Sequence, residues 1–238
     1  MFLRSRKPID LLVDLHSHIV PGVDDGAKKI ADSMKLITSL VELGYKKLIV
    51  TPHISETYYP NDPEKLKEGF QNLLSEVSNT DLNINIQLGA EYMVDGMLLS
   101  TLKSDGELLS WNGHLLFETS FHNKPMILDE TIFEIQRRGL IPVYAHPERY
   151  PYYFKKWDQL QKLRDRGVLL QVNLGSISGM YGKEVSAMAK SMIKKGLVDL
   201  LGSDLHNTGQ LKFVSDALRS KVLKSNTESF FRNRELLN

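Results

Sequence analysis

Seven short apolar segments rich in β-branched residues alternate along this chain with longer amphipathic ones, and that rhythm constrains the fold more than any other feature. The short segments are residues 11–16, 47–53, 84–91, 114–119, 141–146, 168–173 and 198–204. Apolar strands separated by helices are the pattern of parallel strands joined by crossover helices. The amphipathic periodicity predicts helices over 28–43, 63–77, 128–138, 158–166, 183–195 and 211–223. Gly44, Gly139, Gly167 and Gly196 stand where helices end, and Asp62 with Pro63 reads as an N-cap followed by a first-turn proline. No glycine-rich nucleotide fingerprint follows the first strand, so the usual nucleotide-binding open sheets lose support. An α/β fold is expected, with a seven-stranded (β/α) barrel preferred over an open sheet. No linker or low-complexity stretch divides the chain, so residues 1–238 are expected to form one domain, with residues 1–10 as an N-terminal extension.

Barrels of this kind carry their chemistry at the C-terminal ends of the strands. Reading those ends gives His16 and His18, then His53, Glu91, Glu118, His146, Asn173, and Asp204 with His206. Five of the seven histidines fall in this set. In a strand, residues i and i+2 point the same way, so His16 and His18 converge, and Asp204 and His206 repeat the spacing. Asp24 and Asp25 lie in a GVDDGA stretch just past the first strand, where Gly26 also favours a tight turn. An unpaired carboxylate at the end of an apolar strand is costly to bury, so a nearby cation accounts for Glu91 and Glu118. The donors are all nitrogen and oxygen, which suits manganese, zinc or iron(II). There are more of them than one ion needs, as in centres with two or three ions. His114 follows an Asn112–Gly113 turn signal and His122 lies just past a strand end, so neither is assigned a ligand role.

Composition narrows the function. The chain contains no cysteine, which excludes disulfides, thiolate catalysis, Cys-based zinc sites and iron–sulfur clusters. The formal net charge of +1 gives no basic excess for coating nucleic acid or an anionic membrane. No apolar run approaches the ~20 residues of a membrane span, and no secretory leader is read at the start, so a soluble cytoplasmic protein is expected. Arg4, Arg6 and Lys7 form a short basic arm, read as solvated.

The HSH, TPH, GAE, AHPE and SDLH motifs, in this order from Asp14 to Asn207, resemble those of the PHP (polymerase and histidinol phosphatase) superfamily. HIVPGVDDGA, GAEYM, AHPERY and GSDLHN are similar to the bacterial capsule- and exopolysaccharide-type tyrosine-protein phosphatases of that superfamily. The resemblance implies a distorted, TIM-barrel-like seven-stranded (β/α) barrel holding three divalent ions, usually manganese, with iron or zinc as alternatives. By motif, His16, His18, Glu91 and Asp204 would hold the first ion. Glu91, Glu118 and His146 would hold the second, and Asp25, His53 and His206 the third. Motif position alone favours Asp25 over Asp24. Arg149 resembles the phosphate-binding arginine of the family. Relatives often carry a second arginine after the SDLH-type motif, where this chain reads HNTGQLKF with Lys212 as the nearest cation.

The implied activity is hydrolysis of phosphotyrosine in a protein, the substrate being the tyrosine-rich tail of an autophosphorylating kinase that controls polysaccharide export. Tyr58 and Tyr59 after His53, and Tyr150, Tyr152, Tyr153 and Phe154 after Arg149, are expected to wall the substrate ring. Rival readings are histidinol phosphatase or another small-molecule phosphatase, a PHP exonuclease, and a non-catalytic PHP domain. Barrels of this kind often form homo-oligomers, but the sequence marks no interface.

Overall fold

The computed structural model describes residues 8–226 and 232–237. Arg4, Arg6 and Lys7 lie outside the described residues. The described residues contain nine strands: β1 (Val13–Asp14), β2 (Lys47–Val50), β3 (His53–Ile54), β4 (Asn85–Leu88), β5 (Glu91–Met93), β6 (His114–Glu118), β7 (Ile141–Ala145), β8 (Leu169–Asn173) and β9 (Leu200–Gly202). The helices are α1 (Ile30–Glu42), α2 (Pro63–Ser78), α3 (Gly96–Lys103), α4 (Leu128–Arg137), α5 (Trp157–Asp165), α6 (Leu174–Ser178), α7 (Lys183–Lys194), α8 (Leu211–Leu218) and α9 (Lys221–Lys224).

Every paired strand is parallel, but the strands form two sheets rather than the expected closed ring. One runs β1-β2-β4 and the other β3-β5-β6-β7-β8-β9. Two of the seven predicted segments are each broken in two. Pro52 lacks the N–H that a ladder needs, so segment 47–53 divides between β2 and β3. Segment 84–91 divides at Gly89–Ala90, where the Trp111 ring presses against the backbone. A Cβ at Gly89 would lie 2.8 Å from Trp111 Cε3. Across the opening on the far side, a single parallel bridge joins Ser17 to Leu205. It is carried by Asp204 N–H donating to the His16 carbonyl (2.8 Å) and His18 N–H donating to that of Leu205 (3.0 Å).

The predicted helices form with shifts of a few residues. Asp62 caps α2, its carboxylate accepting from Lys65 N–H at 2.9 Å. Gly44 follows α1 at φ 101°, a left-handed conformation that costs glycine little. The predicted helix over 211–223 breaks at Ser220, whose hydroxyl caps the separate α9. Helices α3 and α6 are additions. The first is opened by Asp95, which accepts from Leu98 N–H at 3.0 Å.

Alternate side chains of the strands feed two apolar clusters, as strands covered on both faces require. Leu48, Val50, Leu115, Phe117, Leu170 and Val172 pack towards the helices. Ile49, Leu116, Val143 and Leu200 gather on the opposite side with Trp111 and Leu236. Each fully buried side chain of this kind contributes about 1.5–3 kcal/mol. Leu116 and Glu118 point the same way from β6, so the inner cluster leads directly to the acids at the strand ends.

The chain end contributes more than its sequence announces. Asn233 is fully buried and donates to the carbonyls of Val13 (3.0 Å) and Leu201 (2.6 Å), while accepting from Leu201 N–H (2.9 Å). It thereby ties the tail to the strand residues on either side of the opening. Asn233→Ala should lower unfolding free energy by about 2–4 kcal/mol, because it strands buried backbone groups. Urea denaturation of the metal-depleted protein measures this. A change within about 0.5 kcal/mol would show the tail contact to be dispensable.

Candidate metal centre

The strand-end residues converge. His16 and His18 follow β1, His53 opens β3, Glu91 opens β5, Glu118 closes β6, His146 follows β7 and Asp204 follows β9. His146 (φ 36°) and Asp204 (φ 51°) both adopt left-handed backbone where the chain leaves its strand. A non-glycine residue held there is strained, and such strain concentrates at functional sites. His16, His18, Glu91, Glu118, His146 and Asp204 are all buried.

Glu91 is the hub. Its Oε2 lies 3.1 Å from His16 Nε2, 3.4 Å from His18 Nε2 and 3.2 Å from His53 Nδ1, while its Oε1 lies 2.9 Å from His146 Nε2. His53 Nδ1 also approaches Glu118 (3.1 Å). Asp25 stands 3.5 Å from both His53 Nε2 and His206 Nε2. Among the described residues, three sets of donor atoms are close enough to share an ion: His18, Asp25, His53 and His206; His16, His18 and Glu91; and His53, Glu91 and Glu118.

A second ring of contacts fixes the first. The Gln171 side-chain oxygen accepts from His16 Nδ1–H (2.9 Å), and Asp24 accepts from His18 Nδ1–H (2.8 Å). Gln171 then donates to Asn173 (2.8 Å), and Asn173 donates to Asp204 Oδ2 (2.6 Å). With both Nδ1 positions committed to donation, the two rings turn their Nε2 atoms inward, where they lie 3.2 Å apart. Two ring nitrogens facing each other beside the buried carboxylates of Glu91 and Asp204 call for positive charge at this point, carried by protons or by a metal ion. The donor set therefore fits divalent cations. Glu91 Oε2, the oxygen that faces His16, His18 and His53, agrees, being buried without a hydrogen-bond partner.

The titration behaviour expresses the same demand. Burial opposes charge on His16, but Glu91 and Asp204 outweigh it and push the imidazole up to about 9. Burial likewise works against ionisation of Glu91 and Asp204. His16, with His53 beside Glu91, overcomes it and holds both carboxyls well below the usual range.

A cavity of about 670 Å³ opens over this cluster, lined by Asp25, His53, Glu118, Asp204 and His206 on its floor and by Arg149 on its wall. Arg149 Nη1 donates to Asp204 Oδ2 at 3.1 Å. Tyr58 and Tyr59 line the cavity. Tyr58 is 73% exposed, and Tyr59 stacks on His53 with 5.1 Å between ring centroids. Tyr150 requires a correction: it is fully buried, and its hydroxyl accepts from Thr119 N–H (3.1 Å). With Tyr144, Tyr152 and Tyr153 it forms an aromatic cluster behind the cavity, because those rings find more apolar surface there than at the rim. Tyr152, Tyr153 and Phe154 likewise do not line the cavity. His122 does line it, and His114 does not. Lys212 is exposed and outside the cavity, whereas Gln210 faces it and accepts from His206 N–H at 2.6 Å.

Sequence reasoning missed Asp24 as the partner of His18, Gln171 as the partner of His16, and the cavity residues Phe121 and Tyr181. The doubled aspartate of GVDDGA was the available signal for Asp24. For Gln171, a buried amide two residues before Asn173 on one strand was the clue.

An α/β protein with histidines and carboxylates convergent at the strand ends and an arginine on the cavity wall belongs to the class of metal-dependent hydrolases. Residues 12–233 match the family described as "Capsular polysaccharide synthesis, CpsB/CapC", and the chain belongs to that family. It is 30% identical to the tyrosine-protein phosphatase YwqE of Bacillus subtilis (strain 168), over 85% of this chain and 80% of YwqE. It is 28% identical to the putative tyrosine-protein phosphatase CapC of Staphylococcus aureus, over 95% of this chain and 91% of CapC. A solved structure from work on YwqE and on CpsB of Streptococcus pneumoniae, described as metal-dependent tyrosine phosphatases, superposes with a TM-score of 0.81 at 28% identity. It covers 94% of each chain. The fold is also shared with a zinc-containing histidinol phosphate phosphatase of Lactococcus lactis, at a TM-score of 0.54 and 15% identity over 94% of this chain and 95% of that one.

The turn that carries Asp24 and Asp25 leaves no room at Gly26, where an added Cβ would fall 2.1 Å from the His18 carbonyl oxygen. Gly26→Ala should therefore cost about 1–3 kcal/mol of stability even in chelated protein. Thermal unfolding with and without EDTA measures it. An unchanged midpoint in chelator would show that the turn relaxes freely.

Proposed function

We propose that this chain is a metal-dependent protein-tyrosine phosphatase of capsule or exopolysaccharide production. The single observation that supports this most is the arrangement around Glu91. One oxygen faces His16, His18 and His53 and the other faces His146, with the Arg149 guanidinium close by on the shared carboxylate Asp204. The relatives' names and the capsular family point to the same chemistry. We read the two sheets and the Ser17–Leu205 bridge as an incompletely closed (β/α) barrel, which brings all these residues to one end.

In this reading, His16, His18, Glu91 and Asp204 hold one ion. Glu91, Glu118 and His146 hold a second, and Asp25, His53 and His206 a third. Manganese is the proposed metal. Bound divalent ions supply positive charge for the phosphoryl oxygens and lower the pKa of water. The chain's own residues do the rest. Asp24 and Gln171 hold His18 and His16 in the tautomer that turns Nε2 towards the ions, as such outer partners do in metal sites. Arg149 offers its planar fork to the phosphoryl oxygens, where it binds and neutralises charge that develops in transfer. Tyr58 and Tyr59 flank the phosphotyrosine ring at the cavity mouth.

The substrate we propose is a phosphorylated tyrosine in the tyrosine-rich tail of an autophosphorylating polysaccharide-export kinase, met in the cytoplasm. Among the described residues, no helix is long and apolar enough to cross a membrane. Without cysteine, no phosphocysteine intermediate is available to this chain.

EDTA should abolish hydrolysis of a phosphotyrosine peptide, and manganese should restore it. Full activity in chelated protein would overturn the metal mechanism. In the manganese-restored enzyme, kcat/KM for the peptide should exceed that for histidinol phosphate by about tenfold or more, since a ring-gripping pocket discriminates by roughly 1–3 kcal/mol. The opposite preference would make it a small-molecule phosphatase.

A further inference from the structure

Arg149 is not held by Asp204 alone. Its guanidinium carbon lies 4.1 Å from the centroid of the Tyr181 ring and 4.6 Å from that of Phe121. The two rings arrive from unrelated parts of the chain. Phe121 follows β6 and leans on the buried Tyr150 ring, with centroids 5.4 Å apart. Tyr181 stands in the Gly-Met-Tyr-Gly turn between α6 and α7. Gly179 (φ 92°) and Gly182 (φ 93°) there take backbone conformations that other residues adopt at a cost. The Tyr181 hydroxyl donates to Asp204 Oδ2 at 3.2 Å, the same oxygen that accepts from Arg149.

A guanidinium carries its donors in its plane and is drawn electrostatically to the face of an aromatic ring. Without the rings, Arg149 would be a long side chain beside a nest of buried carboxylates, free to turn all its donors towards them. Ring contacts give the group a second anchor that uses none of its N–H bonds. One Nη1 bond is spent on Asp204, and the remaining donors stay available at the cavity wall.

We infer that Phe121 and Tyr181 are positioning residues for Arg149: the two rings fix the guanidinium over the cavity so that its free donor edge meets the phosphoryl group. This rests on the phosphatase reading above.

A double-mutant cycle in the manganese-loaded full chain tests it, read as kcat/KM on a phosphotyrosine peptide and as inhibition by inorganic phosphate, with metal content measured for each variant. Arg149→Ala alone should cost about a hundredfold. Phe121→Leu and Tyr181→Leu should each cost about tenfold and weaken phosphate inhibition, while Phe121→Tyr and Tyr181→Phe stay within about threefold of the parent. In the Arg149→Ala background, either leucine change should cost less than about threefold, because residues acting through one group are not additive. Metal content should not change. A leucine loss of equal size in both backgrounds would assign the rings to the substrate or the fold and overturn the inference, with the phosphatase reading intact. A wild-type enzyme inactive on the peptide would overturn that reading first, and this inference with it.

Discussion

The structure turns on a concentration of buried negative charge beneath the cavity. Glu91 and Asp204 are buried beside two imidazoles whose Nε2 atoms face each other, and nothing in the apolar cluster below can screen them. Isolated carboxylates in such a place would be expected to take up protons. Instead the surrounding histidines hold Glu91 and Asp204 far below their ordinary range, and His16 rises in return. That exchange between acids and imidazoles is a protonic substitute for cations, and divalent ions would take the place of the protons.

The surroundings follow from keeping this cluster in place. The chain His16–Gln171–Asn173–Asp204 links the two sides of the sheet opening through amides that carry no charge. Buried networks of this kind are stable when every member is satisfied. Asp14 extends the pattern one layer down. Burial lifts its carboxyl to about 6, against the hydroxyl and N–H of Ser203 that bind its oxygens. The opening between the sheets is thus stitched by side chains where a continuous ladder is absent.

Much of this was legible in the sequence, and the reasons differ by element. The helices were readable because Asp62 and the glycines at 44, 139, 167 and 196 act locally on their own turns. The strand-end ligands were readable because chemistry-bearing residues closed apolar runs. The break of the second segment was written in Pro52, but that of the third depends on Trp111, which arrives from a distant loop. Asn233 was invisible for the same reason: its partners are Val13 and Leu201, and nothing near it in sequence announces them. Tyr150 was misplaced because adjacency to Arg149 in sequence says nothing about side-chain direction, and the ring turns into the aromatic cluster. Phe121 and Tyr181 come from loops whose convergence only the fold reveals.

The central claim is that Glu91 serves more than one ion, since its two oxygens face different ligand sets. The direct measurement is the metal content of Glu91→Gln against wild type, by elemental analysis after manganese loading and gel filtration. A bridging role predicts a loss of about two ions per chain, because both centres that share the carboxylate fail together. Metal content equal to that of wild type, in a variant with unchanged unfolding behaviour, would contradict the account.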